Sequence, residues 1–377
     1  MDKTFRVLAL TFHRAENYGS MLQAYALQEF VQDLDNNISY SILDFAPPVQ
    51  KNMYKTVPQI KDVRSFIKAL VSIRYIRDLK LKKARFNGFA KNYLECTQMI
   101  DSEKKKLQAV VGSYDISIFG SDQIWNTNGK DFDWIFMGEG ISGIRKISYA
   151  ASMGSGYFNK DWNQEHRDKM KELLKDFSEI SVRETGVKKI VENLCDLPVS
   201  QNIDPVFLLD GNSWVEKLKL KHATDEKYIL FYSLNPDKLV LEIVKEISRI
   251  LGLPVVVTKF NNMHDIVNPF RKKYDTGPIE FLNLLYNAEL VLSTSFHGVA
   301  FAILLNKPFY AINPYSDSRL DSILESCSLN DRAIKDKKDI KTVRNRWHDL
   351  DFSNAKAFIE SERTKATAYL SKYCVRK

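Results

Sequence analysis

Short β-rich runs alternate along this chain with longer stretches of helical period, and this alternation constrains the fold more than any other feature. Strands separated by helices cannot pair as tight hairpins. They pair in parallel, and the helices cover the sheet. Residues 6–11 read as the first strand, and residues 21–34 as the next helix, with Leu22, Tyr25, Ala26, Phe30 and Leu34 at helical spacing. Residues 39–44, 114–119, 146–150 and 179–183 continue the strands, with a helix from Glu184. A second cycle starts after Asp210-Gly211-Asn212. Residues 228–232, 254–258, 290–293 and 309–312 are its strands, residues 239–251, 279–287 and 298–305 its helices, and residues 353–373 a closing helix.

A chain of 377 residues exceeds the usual span of one core, about 250–300 residues, so two domains are expected. The pattern predicts an α/β protein of two Rossmann-like domains, residues 1–209 and 210–350, with parallel sheets facing an inter-domain cleft. No short repeat indicates a solenoid. The four cysteines (Cys96, Cys195, Cys327 and Cys374) lie far apart, without a CxxC pair or a His at ligand spacing. Neither a disulfide framework nor a structural zinc site follows, and no cofactor is expected. The longest apolar run, residues 299–305, is far below the roughly 20 residues of a membrane span, and the N-terminal stretch lacks the features of a signal peptide. The sequence therefore reads as cytoplasmic.

Fifty-five Lys and Arg against 47 Asp and Glu give a charge of +8, which suits an anionic ligand or surface. The charge concentrates in residues 61–91, within a basic helical insertion at about 51–110, where ten basic residues face two acidic ones among interleaved apolar residues. Two readings fit this segment. It is a solvated insertion face, or a peripheral docking surface for anionic lipid or a pyrophosphate-linked acceptor. Nucleic acid is not expected, because no RNA- or DNA-binding motif accompanies the charge.

Four loops at strand ends carry candidate chemistry. The first holds Asn17, Tyr18, Gly19 and Ser20, where a Gly and a helix start favour close approach of an anion. The second holds Gly120, Ser121, Asp122, Gln123, Trp125 and Asn126. It is rich in hydrogen-bonding groups, and its indole either stacks on a sugar or sits in the core while Asp122 caps a helix. A strand then delivers Arg183, which reads either as a phosphate or carboxylate clamp or as an ion-pair partner of Glu184 or Asp204. The fourth places Ser295 and His297 between a buried strand and an apolar helix. His297 is the best candidate for catalysis, and His13 near the first loop the next.

Six segments in order, ENYGSMLQAYALQ (16–28), GSDQIWN (120–126), SYAASMG (148–154), ISVRE (180–184), DPVFLL (204–209) and STSFHGVAFAILLNKPF (293–309), give the chain its resemblance to the polysaccharide pyruvyl transferases. The resemblance implies a GT-B-like fold with the C-terminal helix, residues 351–377, crossing back to the first domain. It further implies transfer of pyruvate from phosphoenolpyruvate (PEP) to a sugar of a cell-surface polysaccharide or its lipid-linked precursor. The product would be a pyruvate ketal, formed with no metal. His297 would be the acid, Arg183 would bind phosphate or carboxylate, and Asn17, Tyr18, Gly19 and Ser20 would line the cleft. From its chemistry, Asp122 would accept the attacking hydroxyl's proton. Many members carry an Arg two residues before the His, where this chain has Ser295. Arg271, Lys272 and Lys273 are the candidates to supply that charge. Two other readings compete: a GT-B glycosyltransferase using a nucleotide sugar, with Asp265 or Glu280 reading the ribose, and a non-catalytic carbohydrate-binding protein.

Overall fold

A computed structural model describes residues 4–47, 49, 73–100, 106–154, 164–222, 226–259 and 269–375. Strands β1 (Phe5–Leu10), β2 (Ile38–Ile42), β3 (Ile116–Phe119) and β4 (Arg145–Ser148) form a parallel sheet in the order β2-β1-β3-β4. β5 (Ile180–Val182) and β6 (Val199–Gln201) pair in parallel, and the parallel bridges Ile147–Glu179 and Ala151–Val182 join them to the edge of β4. Between these strands run α1 (Tyr18–Gln32), α2 (Ile76–Tyr93), α3 (Leu107–Val111), α4 (Gln164–Leu174) and α5 (Thr185–Glu192). Burial differs along the main sheet: all four residues of the central β3 are buried, whereas β2 at the edge alternates buried and half-buried residues and β4 opens on the exposed Arg145.

The second sheet is six-stranded and parallel, in the order β12-β11-β10-β7-β8-β9. Its elements follow α6 (Gly211–Lys217): β7 (Ile229–Tyr232), α7 (Lys238–Leu251), β8 (Val255–Val257), β9 (Arg271–Lys272), α8 (Pro278–Asn287), β10 (Leu290–Ser293), α9 (Phe296–Leu304), β11 (Phe309–Ile312), α10 (Ser318–Ser326), β12 (Ala333–Ile334), α11 (Val343–Arg346) and α12 (Ser353–Cys374). The sequence pattern anticipated the strand-and-helix alternation, but it set the first helix too late. Asn17 caps α1 by accepting the Gly19 N–H at 3.0 Å, so the helix begins at Tyr18 and not at Met21.

The chain divides into two compact units, residues 1–54, 90–209 and 359–377 in the first and residues 55–89 and 210–358 in the second. Within the first unit, α12 is tied down by Arg363 donating to Phe207 O and by Tyr369 donating to Ser148 O at 2.7 Å. The basic insertion, expected within the first domain, contributes its described part differently. Through Phe89, α2 packs in the second unit, where Arg85 pairs with Asp275 at 2.7 Å and Glu280 at 3.2 Å. Lys82 is buried there as well. These two side chains have protein partners, while Arg74, Arg77 and Lys80 of the same segment are exposed; residues 61–72 of the segment lie outside the described residues. No described helix is long and apolar enough to cross a membrane.

Each sheet has a topological switch point, where successive strands depart to opposite sides and leave a crevice at their carboxyl ends. In the first unit it lies between β1 and β3, and in the second between β7 and β10. Close packing at the second depends on Gly298. A Cβ there would come within 2.3 Å of Ser293 Oγ and 3.0 Å of Tyr232 Cδ1. Gly298→Ala is therefore expected to cost about 1–3 kcal/mol, the usual penalty of overpacking, as a lower urea midpoint. An unchanged midpoint would show that α9 can shift away from β10 without loss.

Candidate active site

The switch point of the first unit is lined by the two loops that the sequence singled out. Thr11 follows β1, and its hydroxyl donates to Ser121 O at 3.0 Å. The Gly120–Ser121 peptide is cis, and Gly120 has φ 127°. A Cβ at Gly120 would stand 2.2 Å from Tyr149 O, so only glycine fits between the neighbouring strand ends. Ser121 Oγ donates to Ala150 O at 2.8 Å. Asp122, with φ 70°, accepts from Ser20 Oγ at 2.5 Å through Oδ2 and from the Gln123 N–H at 2.8 Å through Oδ1. The first turn of α1 and the loop after β3 are thus joined through one buried carboxylate.

The predicted residues here divide into those that face each other and those that do not. Ser20, Ser121 and Asp122 form the network, while Tyr18 and Gly19 are buried in the first turn of α1. Asn17 spends its side chain as the helix cap. Gln123 and Asn126 are half-buried and 3.4 Å apart through their side-chain amides. Trp125 corrects the stacking expectation. It is fully buried, its indole N–H donates to Phe136 O at 3.0 Å, and it packs edge-on to Phe177. An indole with no exposed face cannot stack on a sugar.

Arg183 is engaged as an ion-pair partner of both acids that the sequence offered. Its Nη1 meets Asp204 Oδ2 at 2.5 Å, Nε meets Glu184 Oε1 at 2.7 Å, and Nη2 donates to Ser152 Oγ at 3.1 Å. Burial would lower its pKa, but the charges of Glu184, Asp204 and Asp122 outweigh that and raise it above the ordinary arginine value. Glu184 and Asp204 pair with this guanidinium directly, and Asp122 adds to the field that favours its charged form. Glu184, Asp204 and Ser152 lie in the motif segments, yet only the fold shows that they share one guanidinium. Arg183→Ala would leave two carboxylates without this partner, so a stability loss of about 3–5 kcal/mol is expected in thermal unfolding. A loss below about 1 kcal/mol would mean that the carboxylates find other donors.

His13 lies beside this region and is also committed. Its Nδ1 is 3.1 Å from Thr11 O and its Nε2 3.1 Å from Asp44 Oδ1, while Arg14 Nε donates to the same carboxylate at 2.7 Å. Burial opposes ionisation of Asp44, but His13 and Arg14 outweigh it and hold the carboxyl at about 2. That value lies below the unfolded one of about 3.9, so the group adds stability above that pH and loses it as the pH falls toward the folded value. Asp44→Asn is expected to lower the unfolding temperature at neutral pH, with the gap to the wild type closing through this acid window. A gap independent of pH would show that the pair is not the source.

In the second unit, Ser293 ends β10 and its hydroxyl donates to Tyr232 O at 2.9 Å while accepting the Ser295 N–H at 2.9 Å. Thr294 Oγ1 donates to Ser233 Oγ at 2.7 Å, joining the ends of β10 and β7. Ser295 is the N-cap of α9, yet its side chain makes no capping bond. His297 occupies the second position of this wholly buried helix, 9% exposed and edge-on to Phe296 at 5.4 Å. His297 thus stands at a helix start, a position that favours a bound anion, following Ser293, Thr294 and Ser295 in the chain. Of the candidate substitutes for the missing arginine, Arg271 pairs with Glu226 on the edge of the sheet. Glu280, offered for a ribose, is held by Arg85 and accepts the Gly277 N–H at 3.0 Å. Asp265 lies outside the described residues.

Two parallel, doubly wound units with polar loops at their switch points define the GT-B-like class of fold. Residues 17–316 match the family described as polysaccharide pyruvyl transferase, and the chain belongs to that family. Among solved structures it is similar to UDP-GlcNAc 2-epimerase from Neisseria meningitidis bound to UDP-GlcNAc, at 12% identity and TM-score 0.54, covering 98% of this chain and 100% of that one. It is likewise similar to the Anabaena protein HepE in complex with UDP, at 10% identity and TM-score 0.54, over 98% and 100% of the two chains. These likenesses report the fold. No curated protein matches the sequence.

Proposed function

We propose that the protein transfers a pyruvyl group from PEP to hydroxyls of a polysaccharide sugar or its lipid-linked precursor, releasing phosphate. The observation that carries this reading is the family match over residues 17–316, which includes the loop bearing His297. PEP carries about three negative charges, from its phosphate and its carboxylate. The reaction begins with a proton added to the methylene carbon, leaving an oxocarbenium-like centre at C2. A sugar hydroxyl attacks that carbon and loses its proton. Departure of phosphate and attack by a second hydroxyl, which also loses its proton, complete a cyclic ketal.

His297 is the acid that delivers the first proton. Asp122, with both oxygens already ordered by Ser20 and the Gln123 amide, is the acceptor of a hydroxyl proton. The charge of each unit supports a division of labour. The net acidic cluster of Arg183, Glu184, Asp204 and Asp122 suits a neutral, hydroxyl-rich sugar, whereas the start of α9 suits the anionic donor. Arg183 has no role as donor clamp in this reading; it orders the loop that carries Ser152 and Glu184.

Phosphate release from PEP in the presence of oligosaccharide or lipid-linked acceptors tests the proposal. His297→Ala is expected to lower turnover by about 100-fold or more with little change in unfolding temperature. Turnover near that of the wild type would remove the residue from the chemistry. Binding of UDP in calorimetry without binding of PEP would favour a nucleotide-sugar donor instead.

A further inference from the structure

Strand register places a lysine where no motif pointed. Ser293 lies beside Tyr232 across β10 and β7, and Phe231 lies beside Val257 across β7 and β8. Extended past the strand ends, the same register puts Thr294, Ser233 and Lys259 on one row along the carboxyl edge. The hydrogen bond of Thr294 Oγ1 to Ser233 Oγ, 2.7 Å, shows half of that row already joined. Neighbouring strands are about 4.8 Å apart, so Lys259 stands two spacings, roughly 10 Å, from the loop that leads into His297.

Lys259 is half-buried, and among the described residues no carboxylate forms an ion pair with it. Its charged neighbour is Lys82 on α2, itself buried, with Nζ 3.3 Å from Thr258 O and 5.8 Å from the centre of the Phe86 ring. Burial and repulsion from Lys82 hold the Lys259 ammonium down to about 8. Such an arrangement costs stability, and an anion between strand end and lysine would offset it. By contrast Arg85 and Arg271, two other cations of this unit, already hold carboxylates.

We infer that Lys259, backed by Lys82 and flanked by the hydroxyls of Ser233 and Thr294, forms a phosphoryl-binding subsite at the carboxyl edge of the second sheet. This deepens the proposed function and rests on it for the donor's identity: the subsite takes the phosphate of PEP and supplies the positive charge that Ser295 does not. The recognised chemistry is a small molecule bearing a phosphoryl group, for which PEP and UDP are the two sources to separate.

Calorimetry on the full chain with PEP, UDP and inorganic phosphate tests the inference on the wild type, Lys259→Gln and Lys259→Arg, with thermal unfolding as the control for folding. Lys259→Gln is expected to weaken PEP binding by about tenfold or more, as for loss of one charged hydrogen bond, while Lys259→Arg stays within about threefold of the wild type. Unfolding temperature is not expected to fall, because the substitution relieves repulsion. PEP bound equally well by wild type and Lys259→Gln overturns the subsite and leaves the donor reading standing. UDP bound only when a cation occupies position 259, with no PEP binding, supports the subsite and overturns PEP as donor. A wild type that binds none of the three ligands overturns the subsite.

Discussion

Parallel pairing is the constraint from which the rest of the structure follows. When all strands of a sheet run the same way, every strand ends at the same edge, and the loops that leave it are gathered there. Hydrogen-bond register then fixes their heights relative to one another, residue by residue. In the first unit this brings Thr11, Ser20, Gly120, Ser121 and Asp122 into one network, although they derive from loops separated by about a hundred residues of chain. In the second it joins Ser233 and Thr294 through their hydroxyls at the ends of β7 and β10. The two units differ in strand order, but each opens at the point where its order reverses.

Close approach of backbone segments is the second requirement, and it explains which residues at these edges must be small. Gly120 tolerates Tyr149 O where a side chain would overlap it, and Gly298 lets α9 descend onto Ser293 and Tyr232. Both contacts sit at switch points. Packing there does not merely stabilise: it determines how far the polar groups of Asp122 and His297 lie from the strand ends that present them.

Charge separates the two units in kind. Arg183 is outnumbered by the carboxylates around it, whereas Lys259 meets another lysine and no described acid. One cation thus stands among acids and the other beside a second cation, two opposite electrostatic surroundings. Net charge over the whole chain, +8, averages over this difference and conceals it.

The sequence by itself determined the alternation of strands and helices, the two-fold repetition of that pattern, the family, and the loops in which His297 and Asp122 stand. These properties are local, carried by periodicity and by short runs of adjacent residues. Tertiary structure decided what each side chain does with its neighbours. Trp125 became core because Phe136 and Phe177 fold over it, and Arg183 became an ion pair because Asp204, 21 residues away, returns to its guanidinium. Lys82 and Thr258 meet across 176 residues, which no pattern within a short window can reveal. Burial and partnership are properties of the packed chain, and charge acquires its meaning at a site only once both are fixed.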